Sequence, residues 1–376
     1  MADVHGTCDE RFESVRTTFA SNLDTGLDVG ASVAVYKDGE PVVDLWGGTI
    51  DDAGTPWEQD TIINVWSTTK TMAALSALIL ADRGEIDFDA PVAQYWPEFA
   101  AAGKEQVLVR HIMSHTAGLP GWEEPITATD LYDWEKVTSL LAAQAPWWEP
   151  GTASGYHAVT QGYLVGEVVR RVAGESIGTF FAKEVASPLG ADFHIGTAAE
   201  HDHRVAKVIP PAMLNLTPDP GSFAVRALGN PGMSADQSWG VDWRRAEIPA
   251  AGGHGNARSV GAVQSVLAGG GEARGVRLLS EAGCAQVFRQ QCDGTDLVLG
   301  MPLRHGIGYG LPSPEVPLSP NERACYWGGW GGSLVVVDLD ERLVVAYVMN
   351  RMGEGTQGDL RGASLVFAAY ASLAQP

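Results

Sequence analysis

The chain has few basic residues for its length. Its 376 residues include 25 Lys and Arg against 46 Asp and Glu, which gives a formal net charge of −21 at pH 7. A nucleic-acid-binding surface needs clustered Lys and Arg to contact phosphates, and the sequence has no such cluster. We therefore expect no nucleic-acid partner. The acidic surplus favours solubility and weakly disfavours anionic substrates.

Cysteine is also scarce. The four cysteines lie far apart and form no Cys-x-x-Cys pair: Cys8, Cys284, Cys292 and Cys325. This spacing predicts reduced, structural thiols rather than a metal site. We expect neither a metal nor another cofactor.

Long hydrophobic runs are missing as well. The longest apolar stretches, Leu334–Val337 and Leu343–Met349, are too short to cross a bilayer. The first six residues, Met1–Gly6, have neither a basic start nor an apolar run, so no signal peptide is visible. These features predict a cytoplasmic protein without a membrane partner.

Strand patterns occur near both ends of the chain. Ala31–Tyr36 and Pro41–Trp46 flank an Asp-Gly turn and predict a hairpin. Ser333–Leu339 and Arg342–Met349 predict a second hairpin, and Gly358–Leu373 predicts a closing helix.

The middle of the chain is helical in character. Helices are predicted over Thr68–Arg83, Leu131–Ala143 and Val159–Val172. Strands at both ends with helices between them predict an α/β (α+β) fold, in which helices flank an antiparallel sheet and a helical domain is inserted. We place the discontinuous α/β domain at 1–76 and 174–376, the helical domain at 77–173, and the active site at their interface.

Two serine motifs compete for the role of nucleophile. Gly174–Gly178 is a Gly-x-Ser-x-Gly sequence, and Ser67–Lys70 is a Ser-x-x-Lys sequence. A nucleophile elbow needs a strand before its serine, but Gly166–Ala173 has a helical pattern. Gly174 is then a C-cap, and Ser176 is the N-cap of a helix over Ile177–Val185.

The context of Ser67 favours catalysis. Ser67 follows the apolar run Ile62–Trp66 and starts a helix, whose dipole stabilises negative charge. Lys70 lies one turn later on the same face, where a desolvated amine with a lowered pKa can accept the serine proton. The alternative is that Ser67 only caps the helix and Lys70 is solvated.

Two later segments supply further groups. Tyr156 stands at a loop-to-helix junction and is a candidate proton relay, its phenolate favoured by a nearby lysine. The glycine-rich stretch Tyr326–Ser333 runs into a strand, where close-packed backbone can supply an oxyanion donor.

Three motifs follow one another along the chain: Ser67–Lys70, the Tyr156 segment and the glycine-rich stretch Tyr326–Ser333. In this order they resemble the motifs of the serine β-lactamase and penicillin-binding-protein superfamily, and more closely those of the family VIII carboxylesterases. The resemblance runs over nearly the whole chain and implies a serine β-lactamase-like fold. It implies that Ser67 attacks an ester carbonyl while Lys70 and Tyr156 share the acid and base work. It also implies an oxyanion hole formed by the backbone N–H groups of Ser67 and Trp330, with Trp327, Gly328 and Gly329 in the substrate-binding segment.

Two departures favour an esterase over a β-lactamase. The superfamily's Tyr/Ser-x-Asn element is Tyr156–Ala158 here, without an amide side chain. Its Lys/His-Thr-Gly strand is Trp327–Gly329, without a cation for the antibiotic carboxylate. Both losses weaken recognition of a β-lactam or of peptidoglycan.

Two histidines and two aromatic loops are further candidates for functional roles. For His115 and His254 we expect structural hydrogen bonds, because this chemistry needs no histidine. The aromatic loops at Trp147–Trp148 and Trp239–Trp243 either line an apolar substrate pocket or only pack.

The sequence thus predicts a serine carboxylesterase that hydrolyses small neutral esters through an acyl-enzyme. A lactonase with the same chemistry, a β-lactamase or DD-peptidase, and a non-catalytic binding scaffold remain alternatives. The expected partner is a small-molecule ester, and the chain is either a monomer or a homodimer.

Overall fold

A six-stranded antiparallel sheet joins the two ends of the chain. The computed structural model describes residues 2–211, 219 and 221–374. The strands in this part are β1 Val4–Cys8, β2 Gly30–Lys37, β3 Glu40–Gly48, β4 Ile63–Asn64, β5 Phe193–His194, β6 His254–Gly255, β7 Glu272–Ala273, β8 Val276–Arg277, β9 Cys292–Thr295, β10 Pro302–His305, β11 Ala324–Gly328, β12 Leu334–Asp338 and β13 Leu343–Met349. The main sheet has the order β1-β3-β2-β13-β12-β11.

Helices fill the space between these strands and cover the sheet. Their bounds are α1 Glu13–Asp24, α2 Lys70–Asp82, α3 Val109–Met113, α4 Trp134–Ala143, α5 Thr160–Ala173, α6 Ile177–Phe181, α7 Ser187–Leu189, α8 Phe223–Gly229, α9 Val241–Arg245, α10 Ala257–Ala268, α11 Glu281–Ala285 and α12 Leu360–Leu373. An antiparallel sheet flanked by helices confirms the predicted fold class.

Both predicted hairpins are present. β2 and β3 are joined by Asp38 and Gly39, whose φ angles are 54° and 85°. Two positive φ angles define the tight turn that matches strand twist, and Asp-Gly accommodates them at little cost. β12 and β13 form the second hairpin.

The main sheet is covered on both faces. Gly261 of α10 lies against Ala34 and Tyr36, whereas Gly362 of α12 lies against Leu334 and Tyr347. Ala34 pairs with Ala346, the neighbour of Tyr347, so the two helices contact opposite faces because side chains alternate along a strand. Strands buried on both faces are apolar throughout, as β13 is.

Helix α2 is the buried central helix. All its residues from Lys70 to Leu80 are buried, as expected of a helix that is apolar all round. The predicted start at Thr68 is corrected, because Trp66–Thr69 forms a tighter 3-10 turn and the α-helix begins at Lys70.

Side-chain caps shift other helix boundaries from their predicted positions. α4 begins at Trp134 rather than Leu131, because the Asp133 side chain accepts a hydrogen bond from the Lys136 N–H. α12 begins at Leu360 because Asp359 caps it in the same way.

No helix in the described ranges is both long enough and apolar enough to span a bilayer. The division into domains at 76/77 and 173/174 stays a prediction.

Candidate active site

Ser67 lies on a strained turn between β4 and α2. The preceding residue, Trp66, has a φ of 49°, which is rare for a bulky side chain and costs about 1–3 kcal/mol. The surroundings hold this conformation: the Thr69 hydroxyl donates to the Trp66 carbonyl at 2.5 Å. The Trp66 ring packs between Trp243 and Trp330, with centroid distances of 5.5 and 5.0 Å. The turn therefore presents Ser67 rigidly.

Lys70 contacts Ser67 from within the protein interior. Its Nζ lies 3.1 Å from Ser67 Oγ and donates to the carbonyls of Ala158 and Ala250 at 2.7 and 3.0 Å. Complete burial lowers the pKa of the Lys70 amine well below its usual range. A neutral amine has two N–H donors for these two carbonyls, which leaves its lone pair for the Ser67 hydroxyl proton.

Tyr156 contacts the same serine oxygen from the other side. Its hydroxyl donates to Ser67 Oγ at 2.7 Å. Burial raises the pKa of Tyr156, and the hydrogen bond with Ser67 only partly offsets this effect. The expectation of a lysine-stabilised phenolate is therefore wrong, because desolvation outweighs the amine 5.0 Å from the ring centroid. The resting phenol is protonated and is a hydrogen-bond donor.

The backbone N–H groups of Ser67 and Trp330 are the candidates for an oxyanion hole. Among the described residues, neither the N–H of Ser67 nor that of Trp330 donates a hydrogen bond. Gly329 brings the two segments together, because a Cβ there would lie 2.5 Å from the Val65 carbonyl oxygen and 3.2 Å from the Ser67 nitrogen. Only glycine allows this approach. The two free N–H groups form a candidate oxyanion site.

Ser333 joins the C-terminal hairpin to the Ser67 turn. Its hydroxyl donates to the Val65 carbonyl at 2.8 Å and lies 3.0 Å from Thr68 Oγ1. Its carbonyl accepts from the Gly329 N–H at 2.8 Å. Sequence reasoning missed this residue, because only the fold reveals that residues so far apart in the chain are neighbours.

A cavity of about 260 Å³ opens beside Ser67. Its described lining contains no charged side chain, and its polar side chains are those of Ser67, Tyr156 and Thr356 together with indole groups. The apolar walls include Trp66, Trp122, Val159, Leu228, Met233 and Trp330. Such a cavity suits a small, uncharged, hydrophobic group.

The predicted substrate-binding segment lies behind this cavity. Trp327, Gly328 and Gly329 are buried and do not line it, whereas Trp330 does. The Trp327 ring is 1% exposed and stacks on His115 at 5.2 Å. Direct contact of Trp327 with a substrate stays a prediction, and the ring supports Tyr156 at a centroid distance of 6.1 Å.

The two aromatic loops pack rather than line the cavity. Trp147 stacks on Phe223, and Trp148 donates to the Ala153 carbonyl. Trp243 is buried, whereas Trp239 lies under the Lys207 amine at the surface. The aromatic cavity walls come from Trp66, Trp122 and Trp330 instead.

Both histidines have structural hydrogen bonds, as expected. His115 Nδ1 accepts from the His157 N–H at 3.1 Å, and His254 Nδ1 lies 3.0 Å from the Gly252 carbonyl oxygen. Burial lowers the pKa of His115 well below its usual range and that of His254 to about 3. Neutral imidazoles in these positions stabilise loops.

Ser176 is the helix cap that its context predicts. Its hydroxyl accepts from the Thr179 N–H at 3.2 Å and donates to Glu247 at 2.6 Å. Gly174, with a φ of 73°, ends α5. The predicted helix over Ile177–Val185 is corrected: α6 ends at Phe181, and residues 182–186 continue with wider π-helical hydrogen bonding.

Comparisons with known proteins cover nearly the whole chain. A family model described as Beta-lactamase matches residues 19–369. A family VIII carboxylesterase of known structure is 45% identical, with a TM-score of 0.93 over 98% of this chain and 100% of that one. A penicillin-binding protein homologue from Caulobacter crescentus is 38% identical, with a TM-score of 0.92 over the same shares. The esterase/β-lactamase LipL of Mycobacterium tuberculosis is 38% identical, over 93% of this chain and 83% of LipL.

Proposed function

Because the chain belongs to the β-lactamase family, we propose that it is a serine carboxylesterase for small neutral esters, with Ser67 as the nucleophile. The observation that carries the proposal is the contact of Lys70 and Tyr156 with the same Ser67 oxygen at the mouth of an uncharged cavity. The names of the relatives, a carboxylesterase and an esterase/β-lactamase, support the same reaction class.

Acylation follows from the hydrogen bonds at Ser67. The neutral Lys70 amine takes the hydroxyl proton as Oγ attacks the ester carbonyl carbon. The carbonyl oxygen becomes an oxyanion between the N–H groups of Ser67 and Trp330. Collapse of the tetrahedral intermediate breaks the bond to the alcohol oxygen, which takes the Tyr156 proton. The Lys70 ammonium then reprotonates Tyr156.

Deacylation reverses these steps with water in place of the alcohol. Tyr156 and Lys70 remove a proton from the water as it attacks the acyl carbon, and the proton returns to the Ser67 oxygen as the bond to the acyl group breaks.

A panel of p-nitrophenyl esters of graded chain length, with a lactone beside them, tests the proposal. Mass spectrometry should find an acyl group or a phosphonate label on Ser67. A stable protein that hydrolyses none of them would favour the non-catalytic scaffold.

The pH dependence of kcat/KM should reflect the Lys70 amine. Only the deprotonated amine is a base, so kcat/KM should rise with pH through the lowered pKa of Lys70 and reach a plateau. Burial raises the pKa of Tyr156, so its ionisation should cause no falling limb up to about pH 10. Initial rates from about pH 5 to about pH 10, corrected for spontaneous hydrolysis, test this. A curve that still rises steeply at the alkaline end would contradict a lowered lysine pKa.

Neutral esters should be hydrolysed with a higher kcat/KM than nitrocefin. A β-lactam carboxylate finds no cation among the described residues of the cavity lining, and Trp327 supplies no charge. The missing charge-assisted hydrogen bond is worth about 1.5–3 kcal/mol, or roughly 10–150-fold in kcat/KM. p-Nitrophenyl butyrate and nitrocefin are compared in one buffer, with a β-lactam that lacks the carboxylate as the control. A higher kcat/KM for nitrocefin would instead support a β-lactamase.

A further inference from the structure

A buried carboxylate lies directly behind the Tyr156 backbone. Asp296 is fully buried, and its Oδ1 accepts hydrogen bonds from the N–H groups of Tyr156, Val298 and Leu299 at 2.9, 3.0 and 2.9 Å. Within the described ranges the hydrogen bonds of Asp296 Oδ1 come from backbone N–H groups, and its Oδ2 has no hydrogen-bond partner. Burying a carboxylate without a cation is costly, so its hydrogen bonds have to compensate.

The segment that carries Asp296 is attached to the Tyr156 loop at a second point. The Leu297 N–H donates to the Ser154 carbonyl at 2.8 Å, so two hydrogen bonds join the segments on either side of Gly155. The segment also closes on itself, through the bonds from Asp296 N to Met301 O and from Gly300 N to Asp296 O at 3.0 and 2.8 Å. It is a compact block rather than a loose loop.

Apolar contacts complete the attachment. Val298 is buried in a small cluster with Tyr156, Trp327 and Ala227, apart from the main core. Val298, whose N–H shares Asp296 Oδ1 with the Tyr156 N–H, thus belongs to the same apolar cluster as the Tyr156 ring. One carboxylate oxygen therefore holds both the backbone of Tyr156 and the backbone of a residue in the cluster around its ring.

We propose that Asp296 is a positioning residue that holds the Tyr156 hydroxyl on Ser67. The inference rests on the proposed function, since it assumes that Tyr156 transfers protons in ester hydrolysis. Asp296 is not among the described residues that line the cavity, so we assign it no direct contact with the substrate. It acts through Tyr156, because a small displacement of a proton-transfer group costs up to about 10²-fold in rate.

Asp296 acts on this region through its hydrogen bonds and through its charge, which adds to the larger effect of burial in raising the pKa of Tyr156. The titratable groups that face this region are Tyr156, His115, His157, His305, Cys292 and Lys70. Burial lowers the pKa of the three histidines and of Lys70, and it raises the pKa of Tyr156 and of Cys292.

Three variants of the full-length chain separate the possibilities. Asp296→Ala removes the acceptor for all three N–H groups, so we expect kcat per titrated site to fall about 30–100-fold while KM changes less than about threefold. Asp296→Asn keeps an oxygen acceptor and should retain most of kcat. Asp293→Asn, at an exposed aspartate on the same segment, is the matched control and should behave like the parent protein.

A double-mutant cycle with Tyr156→Phe gives the decisive readout. If Asp296 acts through Tyr156, Asp296→Ala should lower kcat little further once the phenol is absent. Active sites are titrated to completion with a serine-directed phosphonate, so a loss of folded protein does not count as a loss of kcat. Full additivity in the cycle, or an unchanged kcat per site in Asp296→Ala, would overturn the proposal.

Two further outcomes are informative. If Asp296→Ala does not fold, Asp296→Leu, which also removes the acceptor but fills more of the buried space, replaces it, and a parental kcat per site in that variant would overturn the proposal equally. If Tyr156→Phe alone keeps full activity, the proposed role of Tyr156 fails, and the role of Asp296 fails with it. A loss in Tyr156→Phe without any in Asp296→Ala overturns only the inference about Asp296.

Discussion

Ser67→Ala should lower ester hydrolysis by roughly 10⁴–10⁶-fold in kcat while leaving the protein folded. The substitution removes the Ser67 oxygen that Lys70 and Tyr156 both contact, so no nucleophile remains for them to activate. Residual rate would come from the oxyanion N–H groups and from binding alone. The measurements are kcat for p-nitrophenyl acetate, thermal unfolding, and phosphonate labelling, which should disappear.

Ser176→Ala is the matched control for Ser67→Ala. Ser176 stands in the rival motif, but its hydroxyl caps α6 and bonds to Glu247. Loss of the cap should cost about 0.5–2 kcal/mol of stability. kcat per titrated site should stay at the parental value. An inactive but folded Ser176→Ala beside an active Ser67→Ala would contradict the assignment of the nucleophile.

Lys70→Met should lower kcat by roughly 10²–10⁴-fold. Methionine fills a similar volume in the buried site but has no lone pair of comparable basicity for the Ser67 proton. The substitution also leaves the carbonyls of Ala158 and Ala250 without a donor, so stability should fall as well. Pre-steady-state acylation with a p-nitrophenyl ester locates the loss, which should appear in the burst rate.

Lys104→Met separates the loss of a base from the loss of a buried lysine. Lys104 is also buried, and it donates to the carbonyls of Ala101, Ala142 and Gln144. Burial lowers its pKa to about 8. Its replacement should cost about 1–3 kcal/mol of stability and leave kcat per titrated site unchanged. Equal losses of kcat in the two variants would mean that Lys70 acts only through stability.

The sequence predicts well those features that depend on neighbouring residues. The β2–β3 hairpin follows from an Asp-Gly turn, and the capping role of Ser176 follows from the helix before it. The pairing of Ser67 with Lys70 follows from one helical turn. Each of these features depends on only a few consecutive residues, so the rest of the fold does not alter it.

Features that depend on distant residues are harder to predict. Asp296 and Ser333 contact the Tyr156 loop and the Ser67 turn across more than a hundred residues, and no local pattern distinguishes them from ordinary polar residues. The protonated state of Tyr156 depends on burial, which a motif does not reveal. The stacking of the Trp327 ring on His115 likewise joins residues that are far apart in the chain, so no local pattern reveals it.

The pairing of β2 with β13 has a consequence for how the chain folds. These strands are separated by about three hundred residues, and Ser333, which anchors the Ser67 turn, lies just before β12. Contacts of such high contact order form late, because closing a long loop is entropically costly. During synthesis, a chain that already contains Ser67, Lys70 and Tyr156 would still lack its oxyanion site. Esterase activity should therefore appear only after the last hairpin has docked, and so should report the completion of folding.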